Sequence, residues 1–136
     1  MNQQQTLAFV VLHHIVPEEL QLTGGRGTHY DLMLESNGAL KTWAIDRWPL
    51  VIGDAEAQAS HKATRLADHR LAYLSYQGPL SHNRGEVCRV AAGTYRTLPS
   101  GGEPWQVELR WQDASGIEQL MQLSLQSSQL VILKRS

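Results

Sequence analysis

The sequence predicts a mainly β protein: a small closed or partly closed β-barrel with short helical segments. Three observations point there. Apolar and polar residues alternate with a period of two in several short runs. Turn signals rich in Gly, Asn, Asp and Ser separate those runs at short intervals. The 136 residues, 42% hydrophobic and 18% charged, make one globular domain spanning 1–136.

The elements follow in order. Phe9-Val10-Val11-Leu12 is an apolar run suited to a buried strand, and Pro17 ends it. In 29–35, Tyr30, Leu32 and Leu34 fall on one face and His29, Asp31, Met33 and Glu35 on the other, the pattern of a half-buried strand. Ser36-Asn37-Gly38 signals a hairpin, and Leu40–Ile45 is the returning strand. Residues 54–74 fit either a helix or a strand. His61, Arg65, His69 and Tyr73 are spaced by four there and are expected on one face in both cases. Further strands are expected at 86–90, 93–96, 105–111, 117–125 and 130–133. Gly24-Gly25-Arg26-Gly27 and Ser100-Gly101-Gly102 read as loops.

Composition narrows the function. Twelve Lys+Arg against thirteen Asp+Glu leave a net charge of -1, which argues against broad binding of a long duplex but permits a local phosphate pocket. The single cysteine, Cys88, excludes an intrachain disulfide and a Cys-rich zinc site, and is expected as a small, partly buried residue. No apolar run approaches a membrane span, and the N-terminus lacks a signal-peptide pattern, so a cytoplasmic protein is expected.

The histidines carry the chemistry. On one strand face, His29 and Asp31 have Cα atoms about 6.5–7 Å apart. An imidazole and a carboxylate leaning together suit a divalent ion such as Mn²⁺, Zn²⁺ or Fe²⁺. His13-His14, at the end of the first apolar strand, offers a third ligand. Asp68-His69 with Tyr73 forms a second polar cluster, an acid/base or phosphate-donor candidate.

Four segments together resemble a known family. They are Phe9–His14, His29-Tyr30-Asp31-Leu32-Met33-Leu34-Glu35, Gly38–Ala44 with its Leu40-Lys41-Thr42-Trp43-Ala44, and Ala67–Tyr73. In that order, with Tyr76–Pro79, Arg84–Val87 and Ala92–Tyr95 after them, the chain is similar to the 3′-phosphoesterase domain of bacterial DNA ligase D, as a stand-alone, divergent member. The resemblance implies a compact β-barrel that removes a 3′-terminal ribonucleoside and then a 3′-phosphate from DNA ends. Mn²⁺ is the metal it favours, with Zn²⁺ or Co²⁺ as alternatives. By position, His14, His29 and Asp31 match metal ligands. His69 matches a histidine on the scissile phosphate, Tyr73 a tyrosine of the phosphatase step, and Arg47 a basic residue near the phosphate. The implied partners are nucleic-acid 3′ ends and a separate DNA ligase or other end-joining proteins, in the bacterial cytoplasm.

Two departures stand out. The family often has Arg where this chain has Met33, and strand alternation points that position at the site. The segment between His14 and His29 is longer, and Arg26 within it is a candidate replacement. The alternatives are a catalytically impaired barrel that binds phosphate ends or a repair partner, and a phosphoesterase for small nucleotides.

Overall fold

The computed structural model describes residues 6–22, 24–50, 59–99 and 105–135. Among the described residues, nine strands run in chain order: β1 (Leu7–Ile15), β2 (His29–Ser36), β3 (Ala39–Ile45), β4 (Ala59–His69), β5 (Gly78–Pro79), β6 (Glu86–Thr97), β7 (Trp105–Gln112), β8 (Glu118–Leu125) and β9 (Gln129–Arg135). A five-residue helix, Glu18–Leu22, and two 3-10 turns, Leu71–Leu74 and Ser81–Asn83, are the helical pieces. Hydrogen bonding runs β1-β2-β3-β4-β9-β8-β7-β6, and β6 pairs back onto β1. Eight strands therefore close into a barrel, with β5 appended to β6, and closure leaves the ring without free edges.

Alternation fills the interior. Phe9 and Val11, Leu32 and Leu34, Val107 and Leu109, Met121 and Leu123, and Leu130 and Ile132 all point inward and are buried. Phe9 meets Trp111 edge-on, with ring centroids 6.0 Å apart. Asn37 and Gly38 both take positive φ, as a tight two-residue hairpin between β2 and β3 requires.

The outer face is buried at one place, where expectation and structure part. Val10, Leu12, Met33, Leu40 and Val87 form a second apolar cluster outside the barrel wall. Tyr73, Leu74 and Leu80 pack onto it from the segment between β4 and β6. The continuous run Phe9–Leu12 therefore has both faces covered. Likewise β2 is not half-buried: Met33 is 1% exposed.

Two β-bulges account for further differences. The runs 86–90 and 93–96 are a single strand, β6, whose register against β1 shifts between Val11 and Leu12. The shift turns the strand over, so Val87 faces the outer cluster while Ala91 and Tyr95 face the core. Gly93 lies on this strand where a Cβ would collide with the carbonyl of Arg110, so no side chain fits. The other bulge lies where β4 pairs with β3: Thr42 opposes Leu66, but Leu40 opposes His69. Arg65, before it, packs its guanidinium 4.7 Å from the ring centroid of the core residue Trp43. His69, after it, lies on the face of Leu40. The residues spaced by four therefore do not share a face.

The ambiguous segment is a strand from Ala59 to His69 and a 3-10 turn at Leu71–Leu74; its part before residue 59 lies outside the described residues, as does the loop at Ser100-Gly101-Gly102. Cys88 is exposed rather than partly buried. Among the described residues, no helix is long and apolar enough to cross a membrane.

Candidate metal centre

Strand register brings the first site together. β1 and β2 run antiparallel, and His14 lies directly opposite His29. Asp31, two residues along β2, projects from the same outer face. The imidazole centroids of His14 and His29 are 4.9 Å apart. Asp31 Oδ1 is 2.9 Å from His29 Nε2, and Asp31 Oδ2 is 3.7 Å from His14 Nδ1. One ligand atom from each of the three residues lies within 4.8 Å of the others. His29 and Asp31 are buried, and His14 is half-buried.

Each histidine is oriented by a main-chain carbonyl. His29 Nδ1 donates to Gly27 O at 2.7 Å, and His14 Nε2 donates to Arg84 O at 3.0 Å. These bonds turn His29 Nε2 and His14 Nδ1, the nitrogens that would ligate an ion, toward the Asp31 carboxylate. This is the second-sphere arrangement that fixes the tautomer of metal-binding imidazoles. Two imidazoles and one carboxylate also form a donor set suited to Mn²⁺, Fe²⁺ or Zn²⁺. The residues present therefore fit a divalent ion.

The electrostatics agree. Burial pushes the Asp31 carboxyl up, but hydrogen bonds from His14 and His29 outweigh it and hold the group at about 2. The Asp31 carboxylate in turn raises His14, against an opposing push from burial and from the nearby Arg84 charge.

The segments that position these groups are local. Beyond β1, Val16 N donates to Thr28 Oγ1 at 3.0 Å, pinning the start of the 16–28 insert beside its end. Gly85 takes positive φ and has no room for a Cβ, which would strike the carbonyl of Ile15, so the chain turns tightly into β6 next to His14.

His69 and Tyr73 meet edge-on, with ring centroids 5.8 Å apart. They form a second cluster. His69 opposes Leu40 and Asp31 opposes Ala44, so the clusters are offset by one strand beyond β3 and by four residues along it. The buried outer patch of Met33, Leu40 and Leu12 lies along this face. Met33 is thus under the roof of Tyr73 and Leu80 rather than bordering the metal cluster with an open face to substrate. Arg47 is exposed after β3, in a separate cleft with Asp46, Ser60, His61 and Lys62. Arg26 is exposed in the insert.

The segment from Arg70 to Arg84 arches between the two clusters. Its cleft, about 200 Å³, is lined by Arg70, Tyr73, Tyr76, Ser81 and Arg84. Sequence reasoning missed the roles of Gly27 and Arg84, because a carbonyl that orients a histidine leaves no mark on residue type.

Comparison with known proteins settles the lineage. The family described as the DNA ligase D 3′-phosphoesterase domain matches residues 22–132. This chain belongs to that family. The match takes in His29, Asp31, His69 and Tyr73 but starts after His14, whose place in the cluster comes from its pairing with β2. The multifunctional non-homologous end joining protein LigD of Mycobacterium bovis is 32% identical over 82 residues, 58% of this chain. The multifunctional non-homologous end joining DNA repair protein LigD of Mycobacterium tuberculosis matches to the same extent. The match covers only 10% of the length of each relative.

Proposed function

We propose that this ligase D phosphoesterase-family protein is a metal-dependent enzyme that trims 3′-phosphate or 3′-ribonucleoside ends of nucleic acid for end-joining repair in the bacterial cytoplasm. The reading rests on the convergence of His14, His29 and Asp31, with both imidazoles turned toward the carboxylate by main-chain carbonyls. These three residues would hold the ion, with Mn²⁺ favoured over Zn²⁺ or Co²⁺. A divalent ion bound there supplies charge neutralisation at a phosphate oxygen. Asp31 supplies the anionic ligand. The carbonyls of Gly27 and Arg84 keep the lone pairs of His29 and His14 directed at one point. His69 and Tyr73, across the outer face, are the proposed contacts for the phosphate end, and Arg47 an outlying basic one. The partners would be 3′ ends and a separate ligase or another end-joining protein.

The test is turnover of a 5′-labelled oligonucleotide bearing a 3′-phosphate or a 3′-ribonucleotide, with and without Mn²⁺. Metal-dependent product that Asp31→Asn abolishes supports the reading; a parent protein without turnover on either end overturns it. A second reading, a barrel that binds phosphate ends without turnover, is favoured by Met33: the position is buried and apolar, so β2 offers no guanidinium beside Asp31.

A further inference from the structure

Arg84 has two separate functions in its geometry. Its carbonyl holds His14. Its guanidinium is held within the loop: Nε donates to Ser81 O at 2.9 Å and Nη2 to Ser81 Oγ at 3.0 Å. These bonds use two of the five N–H donors a guanidinium carries and hold its plane in place. The side chain is exposed, and among the described residues no carboxylate pairs with it or with Arg70. Both arginines line the cleft with Tyr73 and Tyr76. The two tyrosine rings meet edge-on at 6.1 Å, and the Tyr76 hydroxyl is bonded to the carbonyl of Pro79. A pre-oriented guanidinium with free donors, a second arginine and fixed aromatic rings form a combination that suits a nucleic-acid strand: arginine takes the phosphate fork-wise, and the rings offer faces to sugar and base.

We infer that Arg84 and Arg70 form an anion subsite for an internal phosphodiester of the substrate strand, next to the terminal group held at His14, His29 and Asp31. The inference rests on the phosphoesterase reading for the identity of that terminal group. The separate placement of its carbonyl and its side chain assigns the internal position. The main chain of Arg84 abuts the candidate metal cluster, while its side chain lines the cleft with Tyr73. This subsite supplies positive charge from the 70–84 arch, where β2 supplies none.

Fluorescence anisotropy with a labelled single-stranded DNA carrying a 3′-phosphate, in Mn²⁺, tests the assignment. Arg84→Ala should weaken binding about tenfold and make the slope of log K against log salt shallower by about 0.7, the value for one phosphate contact on a single strand. Arg70→Ala, outside the His14 contact, should weaken it about threefold by losing the more distant charge. A nucleoside 3′-phosphate has no internal phosphodiester, so its affinity should not change in either variant. Unchanged DNA affinity in both variants, equal losses for DNA and mononucleotide, or a parent that does not bind the DNA would each overturn the subsite. Failure of the phosphoesterase reading shows itself separately, as DNA bound by the parent in Mn²⁺ without product.

Discussion

His14 donates through Nε2 to the main-chain carbonyl of Arg84, 3.0 Å away and seventy residues along the chain. The bond couples β1 to the loop that enters β6 and leaves His14 Nδ1 facing Asp31. The shape of the candidate metal cluster therefore depends on a loop that contributes no side chain to it.

Replacing Asp31 with Asn removes the anionic member of the candidate cluster and leaves a buried amide of similar shape. Mn²⁺ affinity should fall by about a hundredfold or more, at the upper end of what even outer-sphere partners contribute. Isothermal titration of the metal checks this, with circular dichroism to show the barrel retained. His29→Ala should likewise abolish specific binding.

Met33→Arg, which strand alternation alone would put forward as restoring a phosphate contact, should instead destabilise the protein. Met33 is buried among Val10, Leu12, Leu40 and Val87, and an unpaired charge in such a site costs about 3–5 kcal/mol. A urea midpoint well below that of the parent is the expected result. A stable variant with raised turnover would show that the roof over Met33 opens.

The metal-free protein should lose stability on both sides of a mildly acidic optimum. Asp31 is held at about 2 against an ordinary 3.8, so its contribution is present above 3.8 and is lost as pH falls toward 2. His14 is raised above 6.5, so its contribution is full below 6.5 and is lost as pH rises through the raised value. Saturating Mn²⁺ should reverse the alkaline limb, because the ion takes the unprotonated imidazole. Thermal melts from pH 3 to 9, with and without Mn²⁺, measure both limbs.

Tyr95 tests the barrel independently of the site. Its hydroxyl donates to Glu35 O at 2.5 Å, and burial, with the Glu35 charge, pushes its ionisation up to about 12. Tyr95→Phe should cost about 1 kcal/mol of stability and leave Mn²⁺ affinity unchanged. In the parent, ultraviolet titration should find a tyrosine ionising at about 12, which Tyr95→Phe removes.

The sequence by itself determined the barrel's wall and half of its site. A period of two assigned the strands around Leu32–Leu34 and Val107–Leu109, and the same period put His29 and Asp31 side by side, because neighbours on a strand face are fixed by local geometry. Asn37-Gly38 located its hairpin by backbone preference alone. What lies far apart in the chain was decided by tertiary structure. The facing of His14 and His29 depends on the β1–β2 register, and His14 acquires its orientation from Arg84 only when β6 closes the barrel. Met33 is polar-facing by pattern but buried in fact, because the 70–84 arch roofs the outer wall. The bulge before His69 turns it away from Arg65, since one extra residue reverses the alternation on which face assignments depend.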